Sequence, residues 1–193
     1  TVLLNKTSEL TDPVPMISLN SGEQLQLTFD MLNPTNEFLQ FTMIHCNSNW
    51  EPSNMTQNEY LSGNYQGNIT DFKFSTNTYQ KYVSYKCVFP SQDLSFTRSG
   101  NYILKVYRNF DEEDLLITRR FMVLDNKLIV TAKVNSASDV RYRFSKQEVD
   151  FWVDYKNYFI PNPFLDVKAS VLQNYNWSTA ITNLKPNFVN NGQ

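Results

Sequence analysis

One histidine, two cysteines and five glycines in 193 residues remove whole classes of chemistry at the outset. A single His45 cannot build a two-histidine metal site. Its neighbour Cys46 offers a cysteine–histidine pair on paper, but adjacent residues of a strand point to opposite faces and cannot share a hydrogen bond. His45 is therefore read as structural or partner-facing. With so little glycine, no phosphate-cradling loop, nucleophile elbow or dinucleotide turn is present, and no HExxH helix appears. Cys46 and Cys87 lack metal spacing and are too few for a disulfide framework. Two buried thiols are the first reading, and a disulfide between neighbouring strands in an oxidising compartment is the second.

Charge of one sign is also missing. A formal net charge of −2 lacks the basic excess that tracks nucleic-acid phosphates. No apolar run approaches the roughly 18–20 residues that cross a bilayer as a helix. Residues 1–10 show no basic start followed by an apolar stretch, which fits a signal peptide that is absent or already removed.

What is abundant is aromatic and β-forming. Hydrophobic residues make up 41% of the chain and aromatics 15%, with 14 Phe and 11 Tyr, enough for a packed core and better suited to pleated sheets than to helices. Period-two alternation places Leu25, Leu27, Phe29 and Met31 on one face, and Leu39, Phe41 and Met43 on another. The rows Val83/Tyr85/Cys87/Phe89 and Tyr102/Leu104/Val106 follow, then Leu115, Ile117, Phe121 and Val123. Turn signals separate the runs: Pro13 and Pro15, Ser21-Gly22, Asn33-Pro34, Pro90 and Ser99-Gly100-Asn101. Tyr102, just after a glycine turn and opening a late strand, has the placement of a tyrosine corner.

Many short strands and few helical stretches predict an all-β protein, tandem immunoglobulin-like β-sandwiches with the first over residues 1–125. Residues 124–127 read as a linker. Beyond it, Leu128/Val130/Ala132/Val134, Val149/Phe151/Val153/Tyr155 and Val167/Ala169/Val171 alternate again. Residues 126–193 are thus the start of a second sandwich. They are short of the about 100 residues and 7 strands such a domain needs. Truncation is the preferred explanation and completion by the first domain the other, since residues 190–193 carry no packed closing strand.

Chemistry-bearing candidates are sparse. The acidic run Asp111-Glu112-Glu113-Asp114 lacks the alternating ligand spacing of a calcium loop and reads as a solvated hairpin turn. Arg119-Arg120 and Arg141-Tyr142-Arg143 read as snorkelling surface arginines. A glycosidase-like carboxylate pair remains a default that no residue selects. The triplets at Asn5, Asn54, Asn68 and Asn176 arise by chance in an Asn-rich chain. Tyr155, Tyr158, Phe159 and Phe164, around Pro161 and Pro163, mark a bend that packs between domains or forms a protein-binding patch.

The most informative stretch is residues 47–68, 22 residues without periodicity, far longer than ordinary strand connections. Its Asn/Ser/Gln/Gly background with Trp50, Tyr60 and Tyr65 has the composition of a recognition loop. These three are the candidate partner-binding residues, for protein or for stacked glycan. The alternative folds the loop back and buries Trp50 and Tyr60 over an open sandwich end.

Several segments, in order, carry a family likeness. They are Leu19-Asn20-Ser21-Gly22-Glu23-Gln24-Leu25, Leu27-Thr28-Phe29-Asp30, His45-Cys46-Asn47-Ser48-Asn49-Trp50 and Tyr60-Leu61-Ser62-Gly63. After them come Ser99-Gly100-Asn101-Tyr102, Arg119-Arg120-Phe121-Met122-Val123 and Gln173-Asn174-Tyr175-Asn176-Trp177. From Val14 to Pro186 the chain resembles the front portion of the plug proteins of the bacterial type IX secretion system. The resemblance implies a periplasmic protein associated with the outer membrane, closing the periplasmic mouth of a very large translocon barrel. That barrel is the implied partner. The resemblance supplies no catalytic residue and no cofactor.

Overall fold

The computed structural model describes residues 2–8, 14–33 and 35–190; the turn signals at Pro13 and Pro34 and the tail at 191–193 lie outside them. The chain divides into two compact units, Thr1–Asp125 and Asn126–Gln193.

The first unit contains β1 (Val2–Lys6), β2 (Met16–Ser18), β3 (Leu25–Met31), β4 (Leu39–Cys46), helix α1 (Gln57–Tyr60), β5 (Leu61–Gly63) and β6 (Gln66–Asn68). It continues with β7 (Asp71–Phe74), β8 (Val83–Phe89), β9 (Leu94–Phe96), β10 (Gly100–Arg108) and β11 (Asp111–Leu124). One sheet runs β1-β3-β8-β7 and the other β2-β11-β10-β4-β6, with a small β5-β9 pair between distant parts of the chain. Neighbours are antiparallel except β2, which lies parallel to β11. The protein is an all-β sandwich.

Alternation builds the core between the sheets. Leu25, Leu27 and Phe29 of β3 and Val83 and Tyr85 of β8 are 0–1% exposed, as are Met43, Tyr102, Leu104 and Val106 of the facing sheet. In β3 and β8 every second side chain is buried because successive Cβ atoms point to opposite faces, whereas β4, an inner strand of its sheet, also buries Gln40, Thr42 and Cys46. Aromatic rings close the interior: Phe89 meets Phe121 at 5.3 Å and reaches Phe41 of the opposite sheet at 6.2 Å, while Phe121 stacks on Tyr102 at 5.3 Å. The Tyr102 hydroxyl donates to the Arg98 carbonyl at 2.8 Å, four residues upstream, the contact that makes a tyrosine corner.

β11 changes phase near its start. Val106 pairs with Ile117, but Tyr107 pairs with Leu115 and Arg108 with Asp111. The extra residues form a bulged end that shifts the phase of β11. Ile117 and Leu116 pack against the core, whereas Leu115, expected in the inner row, is 45% exposed.

The second unit holds β12 (Ile129–Ser136), β13 (Gln147–Asp154), helix α2 (Pro163–Asp166), β14 (Ala169–Val171) and β15 (Ile181–Leu184). They form two separate two-stranded sheets, β12-β13 and β14-β15.

Candidate functional site

The segment 47–68 is largely ordered. The Asn47 side-chain oxygen accepts from the backbone N–H groups of Asn49 and Glu51, an Asx turn that competes with strand continuation. It brings Trp50 into the left-handed backbone region at φ 66°, unusual for a bulky residue. Further on, the Glu59 carboxylate accepts from the Thr56 N–H and hydroxyl, both at 2.7 Å. This is one half of a capping box and starts the single turn of α1. Those two bonds hold the Glu59 carboxyl below its ordinary range. The Thr-x-x-Glu spacing was the readable signal for this turn. β5 then pairs with β9 and β6 with the edge of β4, and the Thr42 hydroxyl donates to the Tyr65 carbonyl at 2.9 Å.

These ties decide where the three candidate aromatics stand. Trp50 is 8% exposed and carries the Arg120 guanidinium over its ring at 4.8 Å; Tyr60 is 4% exposed, inside the core cluster. Tyr65, 38% exposed, is the one of the three whose ring meets solvent. Around it, Ser62, Asn64 and Gln66 are exposed too. Tyr65 thus stands in solvent among small polar groups, while the other two rings are buried.

His45 is the hinge between this loop and the sheet. Its ring packs edge-on to Tyr102 at 5.1 Å and tilted against Tyr60 at 5.6 Å. Nε2 faces the Ser99 carbonyl at 3.3 Å and Nδ1 faces the Ser53 hydroxyl at 2.9 Å. A carbonyl only accepts, so Nε2 carries the proton and Nδ1 accepts from Ser53. The turn before β10 comes so close that a Cβ at Gly100 would overlap the imidazole, and its φ of 147° suits glycine. No carboxylate touches the ring, and Cys46 lies on the opposite face of β4, as strand geometry requires.

Burial lowers the His45 pKa, opposed in part by the Ser99 carbonyl. The folded state thus favours neutral imidazole, while the unfolded chain protonates near pH 6.5. Between those points the unfolded state binds more protons, so the His45 contribution is complete above about pH 7 and is lost as pH falls. We expect the urea midpoint to fall between pH 7.5 and 5.0, above the carboxylate range. His45 is the sole histidine, so His45→Gln should flatten that slope. A midpoint that rises on acidification over this window would contradict the assignment.

The cysteines are free and buried, Cys46 on β4 and Cys87 on β8 in the other sheet. Burial pushes Cys87 up to about 12 and also raises Cys46, leaving both far from thiolate chemistry at neutral pH. The acidic run opens β11 after a turn at Asn109 and Phe110, both with positive φ. Within it, Glu112 pairs with Lys105 at 3.0 Å and Asp114 with Arg108 at 3.1 Å. No cluster of three potential metal-ligating side chains occurs among the described residues.

An open depression of about 450 Å³ lies at one sandwich end, over Ile17, Phe96 and Val123. Among the described residues Glu23 is the carboxylate that lines it. Ser18 N–H at 2.6 Å and Lys6 Nζ at 3.0 Å hold Glu23 below the usual carboxylate range, the opposite of a poised general acid. In the second unit, Arg141 pairs with Asp139 at 2.7 Å, and Lys146 sits over the Tyr142 ring at 4.0 Å. Tyr158, Phe159 and Phe164 there are 45%, 86% and 48% exposed.

Comparison with known proteins adds three findings. Residues 1–125 match the family described as type 9 secretion system plug protein, 1st domain. A hypothetical protein of Parabacteroides merdae, solved by crystallography at 2.30 Å resolution, is similar over 100% of this chain at 29% identity and a TM-score of 0.94. The chain spans 48% of that solved chain, about half its length. An alkylpurine DNA glycosylase of Pseudomonas fluorescens bound to abasic-site DNA aligns over 63% of this chain and 30% of its own, at 12% identity. Its TM-score is 0.34, too low to carry any argument. No curated protein matches the chain.

Proposed function

Because the chain belongs to the type 9 secretion system plug protein family, we propose that it is a non-enzymatic periplasmic protein that docks onto the outer-membrane translocon of that system and plugs it. The match over residues 1–125, the whole first unit, is the observation that carries this reading. The mechanism is steric. A sandwich with a dense aromatic interior keeps its shape when pressed against a barrel rim, and ordered loops present contact area without a large ordering cost. Two observations sit comfortably with a non-enzymatic role: burial raises both thiols, and Glu23 at the depression is held ionised. No helix among the described residues is long and apolar enough to cross a membrane.

Tyr65 is assigned as the contact residue of the 47–68 loop. The test is co-purification of the full-length protein with the translocon from detergent-solubilised membranes. Retention of the wild type is expected, with Tyr65→Ala weakening it by about tenfold, the size of a moderate interface anchor. An intact translocon recovered without the wild-type protein sinks the plug reading. Undiminished retention of Tyr65→Ala sinks only the role of this loop.

A further inference from the structure

No described residue of the second unit is buried, yet its main hairpin has the pattern of a sheet built to cover a core. β12 and β13 pair through eight residue pairs without a register shift. Residues directly opposite in an antiparallel pair project to the same face. On one face stand Val130 opposite Val153, Ala132 opposite Phe151 and Val134 opposite Val149, six apolar side chains, with the polar pair Ser136 and Gln147 at the end of the ladder. The other is mostly polar: Lys133 faces Asp150 and Asn135 faces Glu148, with Thr131 opposite Trp152 and Ile129 opposite Asp154. This division is that of an antiparallel sheet with one face against water and one against a second layer.

Among the described residues this face is only partly covered: Val149, Phe151 and Val153 are half-buried, but Val130 and Val134 are 64% and 58% exposed, whereas Leu25 and Leu27, at alternating positions in the first unit, are 0% exposed. A two-stranded hairpin alone is marginal in water, so leaving this face open has a cost that folding must recover elsewhere.

We infer that the apolar face of β12-β13 is one inner wall of a second sandwich, and that strands of the same polypeptide outside these 193 residues supply the facing sheet. Two observations favour this occupant. The Parabacteroides merdae structure is similar to the whole of this chain at a TM-score of 0.94 within 48% of its own length, so about half of that chain lies outside the match. A second copy is the poorer fit, because six side chains per copy fall well short of the roughly 20–30 residues a side of a stable interface.

Thiol labelling tests the inference in the full-length gene product and the 193-residue chain side by side. Ala132→Cys reports the apolar face and Lys133→Cys the polar face. The native thiols stay silent behind burial. In the 193-residue chain both introduced thiols should react at similar rates. In the full-length protein Ala132→Cys should slow by about a hundredfold, as expected for a protected position, with Lys133→Cys unchanged. Equal reactivity of Ala132→Cys in the two proteins overturns the inference. Protection that grows with concentration in the 193-residue chain also overturns it, by identifying a second copy as the cover.

Discussion

Phe121→Ala is expected to destabilise the first unit by about 3–5 kcal/mol, the range for truncating a fully buried phenylalanine. Phe121 is 1% exposed and touches three other rings: Tyr102 at 5.3 Å, Phe89 at 5.3 Å and Phe96 at 5.6 Å. The loss thus combines transfer of the side chain, a cavity among rigid neighbours and three aromatic pairs. These rings come from β8, β9, β10 and β11, and their backbones are tied into sheets, so collapse around the void is restricted. Urea unfolding measures the change. Phe144→Ala serves as the reference, since Phe144 is 98% exposed and its removal should stay within about 0.5 kcal/mol. A shift below about 1 kcal/mol for Phe121→Ala would mean that the sheets close over the gap and that the core is looser than its geometry indicates.

Gly63→Ala should cost about 3 kcal/mol for a different reason, combining left-handed backbone strain with a collision. Gly63 ends β5 at φ 91°, and a Cβ there would overlap the Asp93 carbonyl oxygen and lie 2.9 Å from its carbonyl carbon. The obstacle is backbone and cannot swing away like a side-chain tip. It is also in use, because Asn64 N–H donates to that same carbonyl at 2.6 Å and Gly63 pairs with Leu94. The three-residue β5-β9 ladder should open, freeing the far end of the 47–68 loop. Hydrogen exchange read at Leu61 and Leu94 should accelerate along with the drop in urea midpoint. Ser62→Ala, on an exposed neighbour, should change neither. If Gly63→Ala leaves both readouts at wild-type values, the close approach between β5 and the Asp93 backbone is wrong.

The two substitutions divide along what was legible from the residues alone. Phe121 sits in a clear alternation with Val123, and Tyr102 follows a glycine turn, so their burial could be anticipated from spacing. Gly63 gave no such signal: the Asp93 carbonyl that crowds it is 30 positions further along the chain. The loop shows the same split. Its length and composition marked it as a candidate recognition loop, while the Thr56–Glu59 spacing that starts α1 went unread. The burial of Trp50 beneath Arg120 depended on a residue 70 positions away.

Local periodicity determined the all-β character and most of the core rows, because alternation is a property of short windows. Tertiary structure alone decided which strands became neighbours, where β11 slips phase at Leu116, why the two cysteines stand on different sheets, and which of three aromatics keeps an open ring. It also left β12-β13 with an uncovered wall. The reason is physical: a strand's pattern states that one face must be buried, but the covering layer is built from residues distant in sequence, and only folding brings them together.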